Sequence, residues 1–284
     1  MKSPTINIFG KIITTMMWET IEYTSPKVMG ILNVTPDSFY DGGAYTSERA
    51  IALRLEEMLR QGADIIDVGA YSSRPGADDV SETEEFTRLQ KVLQIIKNDF
   101  PNILVSIDTF RLSVIEKVLD FYGTVMVNDI SGGNFDANMI PFSIQHNLPY
   151  VCMHMQGTPQ TMQQNPHYQN VADEILDFFK TKIATANAPK NNQFILDPGF
   201  GFGKTVRQNY ELMSQLERFT QLGYPVLVGI SRKSMIQKVL NCTAAEALNG
   251  TTVLNTIALL KGADIIRVHD VAEAREAVRI TSQL

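Results

Sequence analysis

Gly62-Ala63-Asp64-Ile65-Ile66-Asp67-Val68 returns near the far end of the chain as Gly262-Ala263-Asp264-Ile265-Ile266-Arg267-Val268, changed only at the sixth place. In each copy the glycine follows an amphipathic stretch, where a left-handed helix cap favours it. A short apolar, β-branched run then starts at once. Both copies read as a helix-to-strand corner: either one joint used twice, or two sequences that converged on a good turn. Moving outward from these corners, the same kind of run appears eight times. The runs are Val28–Val34, Asp64–Gly69, Ile103–Asp108, Thr124–Asp129, Pro149–His154, Phe194–Asp197, Pro225–Ile230 and Asp264–His269. Each is nearly continuous in apolar residues, as strands buried on both faces of a parallel sheet must be.

Helical stretches separate most of the runs: Glu48–Gln61, Glu82–Asp99, Leu112–Tyr122, Val171–Thr185, Tyr210–Leu222 and Ala245–Lys261. In the first, Ile51, Leu55, Met58 and Leu59 share one helix face. Ser81 followed by Glu84 predicts a capping box opening the second. Gly223 is a third candidate helix cap. Eight such units fit a (β/α)8 barrel or an open doubly wound sheet. Polar residues separate the two. Asn33, Asp67, Asp108, Asn128, His154, Asp197, Ser231-Arg232-Lys233 and Arg267 with His269 stand at or just past the ends of all eight runs. An open sheet gathers its site from two or three strand ends, whereas a closed ring makes one mouth of all eight. The expectation is a (β/α)8 barrel over residues 28–284, with a short N-terminal extension over 1–27, a hairpin under the barrel floor.

The chain has 284 residues, 44% apolar and 20% charged, with 25 Lys and Arg against 31 Asp and Glu for a net charge of −6. That composition is globular and argues against disorder. Its acidity argues against a nucleic-acid or membrane-surface partner. No apolar run approaches the roughly 18 residues of a membrane span. Residues 1–27 mix Lys, Asn, Glu and Thr with apolar ones and do not read as a signal peptide. Cys152 and Cys242 stand apart without C-x-x-C spacing, which predicts a reducing, cytoplasmic setting.

The chemistry is concentrated at the run ends. Asp197-Pro198-Gly199-Phe200-Gly201-Phe202-Gly203-Lys204-Thr205 is neither a P-loop, since Pro198 stands where that motif has its first glycine, nor a dinucleotide fingerprint. Its glycines let backbone approach a flat ligand, with Phe200 and Phe202 as stacking faces. Asp108 and Asp197 end apolar strands, where a lone charge is costly. Each therefore needs a cation, a helix cap or a ligand with N–H donors. An aminopyrimidinone edge, common to guanine and pterins, supplies two parallel N–H groups to a carboxylate. Asn128 offers both donor and acceptor to the remaining ring atoms. Arg267 and His269 project to one side of a strand and, with Ser231-Arg232-Lys233 after the seventh run, form a positive cluster that points to an anionic ligand. The structural alternative is ion bridging to Asp67 or Asp270. Loops Asn33–Phe39 and Ser72–Gly76 carry groups suited to closing on a polyanion and its Mg²⁺, with Asn33 the better metal or phosphate candidate, or else they are plain turns. His154, between Met153 and Met155, reads as a packed residue sooner than a catalyst.

Val28-Met29-Gly30-Ile31-Leu32-Asn33-Val34-Thr35-Pro36-Asp37-Ser38-Phe39, Ser106-Ile107-Asp108-Thr109, Asn128-Asp129-Ile130-Ser131-Gly132, Met153–Gly157, Leu196–Lys204, Ser231–Met235 and Ile266–Asp270 together resemble the dihydropteroate synthase family, in the family's order. The resemblance implies a TIM barrel that condenses 6-hydroxymethyl-7,8-dihydropterin pyrophosphate with para-aminobenzoate, giving 7,8-dihydropteroate and pyrophosphate in folate biosynthesis, a step blocked by sulfonamides. It implies catalytic roles for Asp108, Asp197, Lys233, Arg267 and His269. The pterin would lie on Asp108, Asn128, Asp197 and Lys233. Pyrophosphate would lie on Asn33, Ser73, Arg74, Arg267 and His269, with Mg²⁺ at Asn33. Para-aminobenzoate would meet Ser73, Pro75, Phe202, Ser231 and Lys233, with Asp37 and Phe39 in a mobile loop. It also implies a homodimer. The second loop departs from the family's S-T-R-P-G: Ser73 loses a methyl and keeps the hydroxyl. A methyltetrahydrofolate methyltransferase shares the fold and the pterin carboxylates without needing Asn33, Arg267 and His269. A non-catalytic pterin-binding paralogue would bind ligand and form no product.

Overall fold

The computed structural model describes residues 25–34, 45–71, 80–190 and 193–284. Within them run eight strands: β1 Lys27–Asn33, β2 Ile65–Gly69, β3 Leu104–Asp108, β4 Met126–Asp129, β5 Tyr150–Met153, β6 Phe194–Asp197, β7 Leu227–Val228 and β8 Ile265–Val268. All pairings are parallel, in the order β6-β5-β4-β3-β2-β1-β8-β7. A single bridge, Leu196 to Val226, joins the two ends of that order and closes the barrel. The helices are α1 Tyr45–Gln61, α2 Glu82–Asp99, α3 Leu112–Phe121, α4 Met139–Gln145, α5 Val171–Ala186, α6 Val206–Ser214, α7 Glu217–Thr220, α8 Ser234–Leu240, α9 Leu248–Leu260 and α10 Val271–Thr281.

Strand alternation divides the core in two. Met29, Ile65, Leu104, Met126, Val151, Ile195, Leu227 and Ile265, one from each strand, fill the inside of the barrel. Their neighbours, among them Val28, Ile66, Val105, Val127, Cys152, Leu196, Val228 and Ile266, face outward under the helices. This is the filled interior expected of a parallel barrel. Two residues further along β2, β3, β4, β6 and β8, the inward positions become Asp67, Ser106, Asn128, Asp197 and Arg267. The floor is therefore apolar and the C-terminal mouth polar.

The two echoing corners have the same hydrogen bonding. Gly62 and Gly262 hold φ of 97° and 88°. The next amide reaches back into the helix, Ala63 to the Met58 carbonyl at 2.9 Å and Ala263 to that of Ala258 at 3.0 Å. The Asp64 carboxylate then accepts from the Val28 amide at 2.7 Å, and that of Asp264 from the Val226 amide at 2.8 Å. Each aspartate thus locks its own strand beside the one before it in the chain. Arg275 donates to both Asp64 and the Gly62 carbonyl, sealing the first corner with α10.

Several sequence expectations need adjustment. The stretch expected as one helix over Tyr210–Leu222 begins at Val206, where Thr205 and Gln208 form a reciprocal capping box, and divides into α6 and α7. At the division, Gln215 and Leu216 make tighter three-residue bonds to Leu212 and Met213. Ser81 accepts from the Glu84 amide and caps α2, but the Glu84 carboxylate accepts from Arg88, so the expected capping box is only half made. The helix expected from Ala245 starts only at Leu248, because Glu246 folds back onto the Thr243 amide and hydroxyl. β7 has just two residues of regular pairing, between a proline without an N–H at 225 and Gly229. Phe200, expected to offer a stacking face, is fully buried in the outer core. The hairpin expected for 1–27 lies outside the described residues except for 25–27.

Candidate active site

β2 and β8 bring the two echoing corners back to each other at the one place where they differ. Arg267 Nε donates to Asp67 Oδ2 at 2.6 Å, and its Nη2 to Asp108 Oδ2 at 2.8 Å. Asn128 Nδ2 donates to the same Asp67 oxygen at 3.1 Å. Asp67, Asp108, Asn128 and Arg267 thus form one connected group across the barrel lumen. Of the two structural bridges open from sequence, both exist: Arg267 to Asp67, and Arg232 to Asp270 through two bonds of 2.8 Å. Arg232 also donates to the Ala244 and Ala245 carbonyls, away from the mouth.

Glycines hollow the wall around this group. A Cβ at Gly69 would come within 3.1 Å of Asn33 Oδ1 and 3.5 Å of Asp108 Cβ. One at Gly229 would meet Arg267 Cβ at 3.7 Å and Lys233 Nζ at 4.0 Å. Asn33, Asp108, Arg267 and Lys233 therefore border space that side chains at 69 and 229 would fill.

The loop after β6 supplies the opposite wall. Asp197 Oδ1 accepts from the Gly199 amide at 2.7 Å. Gly199, Gly201 and Gly203 all hold positive φ. At Gly199 no side chain is tolerable, since a Cβ would lie 1.9 Å from the His154 carbonyl. The alternation wraps backbone around the buried Lys204, whose Nζ donates to the Gly199 and Phe202 carbonyls at 2.8 and 3.0 Å. It also lies 3.2 Å from His154 Nδ1. Burial, with Lys204 beside it, pushes His154 down to about 2, so the imidazole stays neutral. His154 is a packed residue, edge-on to Phe178. The glycines serve this turn, and Phe202 alone of the two phenylalanines borders the mouth, with Lys233 Nζ 4.6 Å from its ring centre. Lys233 also donates to the Phe200 carbonyl at 2.5 Å. Ser231 Oγ accepts from the His269 amide and lies 3.1 Å from its Nδ1, tying the ends of β7 and β8.

Burial dominates the electrostatics. It raises Asp108 to about 7 despite the Arg267 guanidinium, with Asp67, Glu85 and Asp129 pushing the same way. It also raises Asp197, against Lys233. Lys233 falls to about 8 and Lys204 to about 7, again chiefly by burial. The shifts of Asp108, Asp197 and Lys233, gathered in one cleft, make that cleft a candidate ligand site.

The structure thus places Asn33, Asp108, Asn128, Asp197, Phe202, Ser231, Lys233, Arg267 and His269 around one mouth. Asp37, Phe39, Ser73, Arg74 and Pro75 lie outside the described residues. Sequence reasoning missed two participants. Asp67 was legible only as a strand-end carboxylate and a bridging partner. Lys204 gave no signal beyond following a glycine run.

The sequence signature described as pterin binding enzyme matches residues 29–269. A dihydropteroate synthase of Haemophilus influenzae is 41% identical over 262 residues, covering 92% of this chain and 94% of its own. A solved Yersinia pestis dihydropteroate synthase in complex with a sulfonamide drug superposes with a TM-score of 0.83 at 38% identity, covering 93% and 95%. A clostridial dihydropteroate synthase solved in the presence of pteroic acid gives 0.84 at 39% identity, covering 92% and 97%. With the family signature spanning most of the barrel and relatives 38% to 41% identical covering over nine-tenths of its length, the chain belongs to the pterin binding enzyme family, among its dihydropteroate synthases.

Proposed function

We propose that the barrel mouth performs the dihydropteroate synthase reaction with the following division of labour. Asp108 and Asp197 accept the N–H groups of the dihydropterin, Asn128 pairs with its remaining ring atoms, and Lys233 closes the head-group pocket. Arg267, His269 and Asn33 hold the diphosphate, with Ser73 and Arg74 from the second loop. Para-aminobenzoate packs against Phe202, beside Ser231 and Lys233, with Ser73 and Pro75 over it and Asp37 and Phe39 in the first loop. The observation that carries this reading is the gathering of Asp108, Asn128, Asp197, Lys233 and Arg267 from five parts of the chain at one mouth.

Among the described residues no three His, Cys, Asp or Glu side chains form a metal cluster. Mg²⁺ commonly binds through one or two protein oxygens plus substrate phosphates and retained waters, and a single amide oxygen at Asn33 fits that habit. Mg²⁺, so held, would neutralise charge on the diphosphate. The bond from the exocyclic methylene to the diphosphate oxygen breaks first, its electron pair leaving with diphosphate. The electron-rich ring carries the resulting positive charge, which Asp108 and Asp197 favour electrostatically. Arg267 and His269 stabilise the leaving charge. The aniline nitrogen then forms the new C–N bond and releases a proton to solvent. An aniline is already a competent nucleophile, so the chain needs no nucleophile–base pair.

Exposed Leu240, Val253, Leu260 and Ile280 on α8, α9 and α10 support a homodimer through this side of the barrel. Free Cys152 and Cys242 fit a reducing cytoplasm. One incubation with the dihydropterin pyrophosphate, labelled para-aminobenzoate and Mg²⁺ tests the activity. Labelled dihydropteroate with equimolar pyrophosphate supports it. Ligand binding without product would favour the non-catalytic paralogue, and methyl transfer to a corrinoid the methyltransferase.

A further inference from the structure

We propose that Asp67 is a positioning residue for this reaction, one buried oxygen fixing both the face that Asn128 presents and the aim of Arg267. The inference rests on the site reading above. Asp67 is fully buried on β2, whose hydrogen-bonded neighbours are β1 and β3. Its Oδ2 nevertheless reaches Asn128 on β4 and Arg267 on β8, crossing the lumen in both directions.

The chemistry at each partner is asymmetric. A carboxylate only accepts, so the Asn128 amide must turn its N–H₂ toward Asp67 and its Oδ1 away. A ligand in the mouth then meets a carbonyl oxygen of fixed direction. Without Asp67 the amide is free to turn over and to exchange acceptor for donor. At Arg267, binding through Nε orients the guanidinium plane and turns its Nη edge toward Asp108. The far Nη N–H groups are then the ones aimed to take a diphosphate.

A purely structural reading accounts poorly for the arrangement. Buried ion pairs add little net stability over apolar packing. This one also leaves Asp67 Oδ1 and the register-paired Ser106 Oγ buried without a protein partner. Such a cost is understandable where direction, more than stability, is what the pair supplies.

Asp67→Asn separates the two readings, because the new amide is nearly the same size yet able to donate to Asn128 Oδ1. The variant and wild type are compared by thermal melting, by steady-state kinetics for each substrate, and by calorimetry with pteroic acid and with inorganic pyrophosphate. The expected result is a cooperative melt within a few degrees of wild type. With it, kcat/KM for the pterin substrate falls about 10- to 100-fold, the range for loss of a hydrogen bond to a charged group. Both calorimetric ligands weaken, while KM for para-aminobenzoate stays within about twofold. The acid limb of kcat/KM also moves to lower pH, because Asp108 loses one negative neighbour while Arg267, Glu85 and Asp129 still face it. If Asp67→Asn does not melt cooperatively, Asp67→Ala with added sodium formate replaces it, and recovery of kcat/KM with formate supports the proposal. Kinetics unchanged for both substrates, KM raised equally for both, or no rescue by formate overturn it. Wild type that forms no dihydropteroate overturns the underlying reading instead.

Discussion

Asp108 is pulled in two directions, and its behaviour is the most direct probe of the site. Burial lifts its carboxyl to about 7, although Arg267 Nη2 is 2.8 Å away. The role proposed for it, accepting N–H groups of the dihydropterin, requires the ionised form, so kcat/KM for the pterin substrate should rise with pH and level off above about 7. A pH profile of the free enzyme checks this, and a flat profile from pH 5.5 to 8 would contradict it. The same shift has a cost in stability. A carboxyl whose folded value lies above its usual 3.8 leaves the folded state binding more protons, so its contribution declines as pH rises from about 4 to about 7. Asp108→Asn should therefore lower turnover by about 100-fold or more while raising the melting temperature of the ligand-free protein at pH 8. Activity and calorimetry on one preparation decide it.

At the scale of elements, the loop after β6 is the most constrained. Gly199→Ala would drive a methyl to 1.9 Å from the His154 carbonyl and should prevent the Lys204 turn from forming, with loss of soluble, cooperatively melting protein. Gly223→Ala is the control. It also has positive φ but nothing within 4 Å, so only the left-handed backbone is strained, at about 1–2 kcal/mol. Much of this architecture was legible in the sequence. All eight strands fall within the apolar runs, Lys27 alone overhanging by one residue and β7 two residues short at each end, because burial on both faces leaves a strand few polar positions to blur its limits. Helices on the outside were less legible. Pro141 inside α4 and the short α8 after Lys233 break any long periodic signal, and the capping box at Thr205 sets the start of α6 upstream of its apolar stripe. In the site, strand-end polar residues were legible because the barrel interior is otherwise apolar. What Asp67 does was not, since two partners 61 and 200 residues away leave no local pattern.

For the whole molecule, the weak point is the seam between β6 and β7, held by the Leu196–Val226 bridge and the Leu196 amide on the Pro225 carbonyl at 2.8 Å. Elsewhere neighbouring strands share runs of paired residues, five between β1 and β2. Amides of β6 and β7 should exchange with deuterium sooner than those of β1, β2 and β3, and mass spectrometry of peptic fragments will show whether they do. On the proposed homodimer through α8, α9 and α10, Leu260→Glu should shift the species seen by sedimentation toward monomer without loss of helix, since Leu260 is exposed on α9.

That seam runs straight through the site, with Asp197 ending one strand and Lys233 following the other. A heterocycle gripped by both would act as a rung that the backbone itself does not supply. Occupied enzyme would then outlast empty enzyme under heat or protease, and a cell's stock of this catalyst would follow the supply of what it consumes.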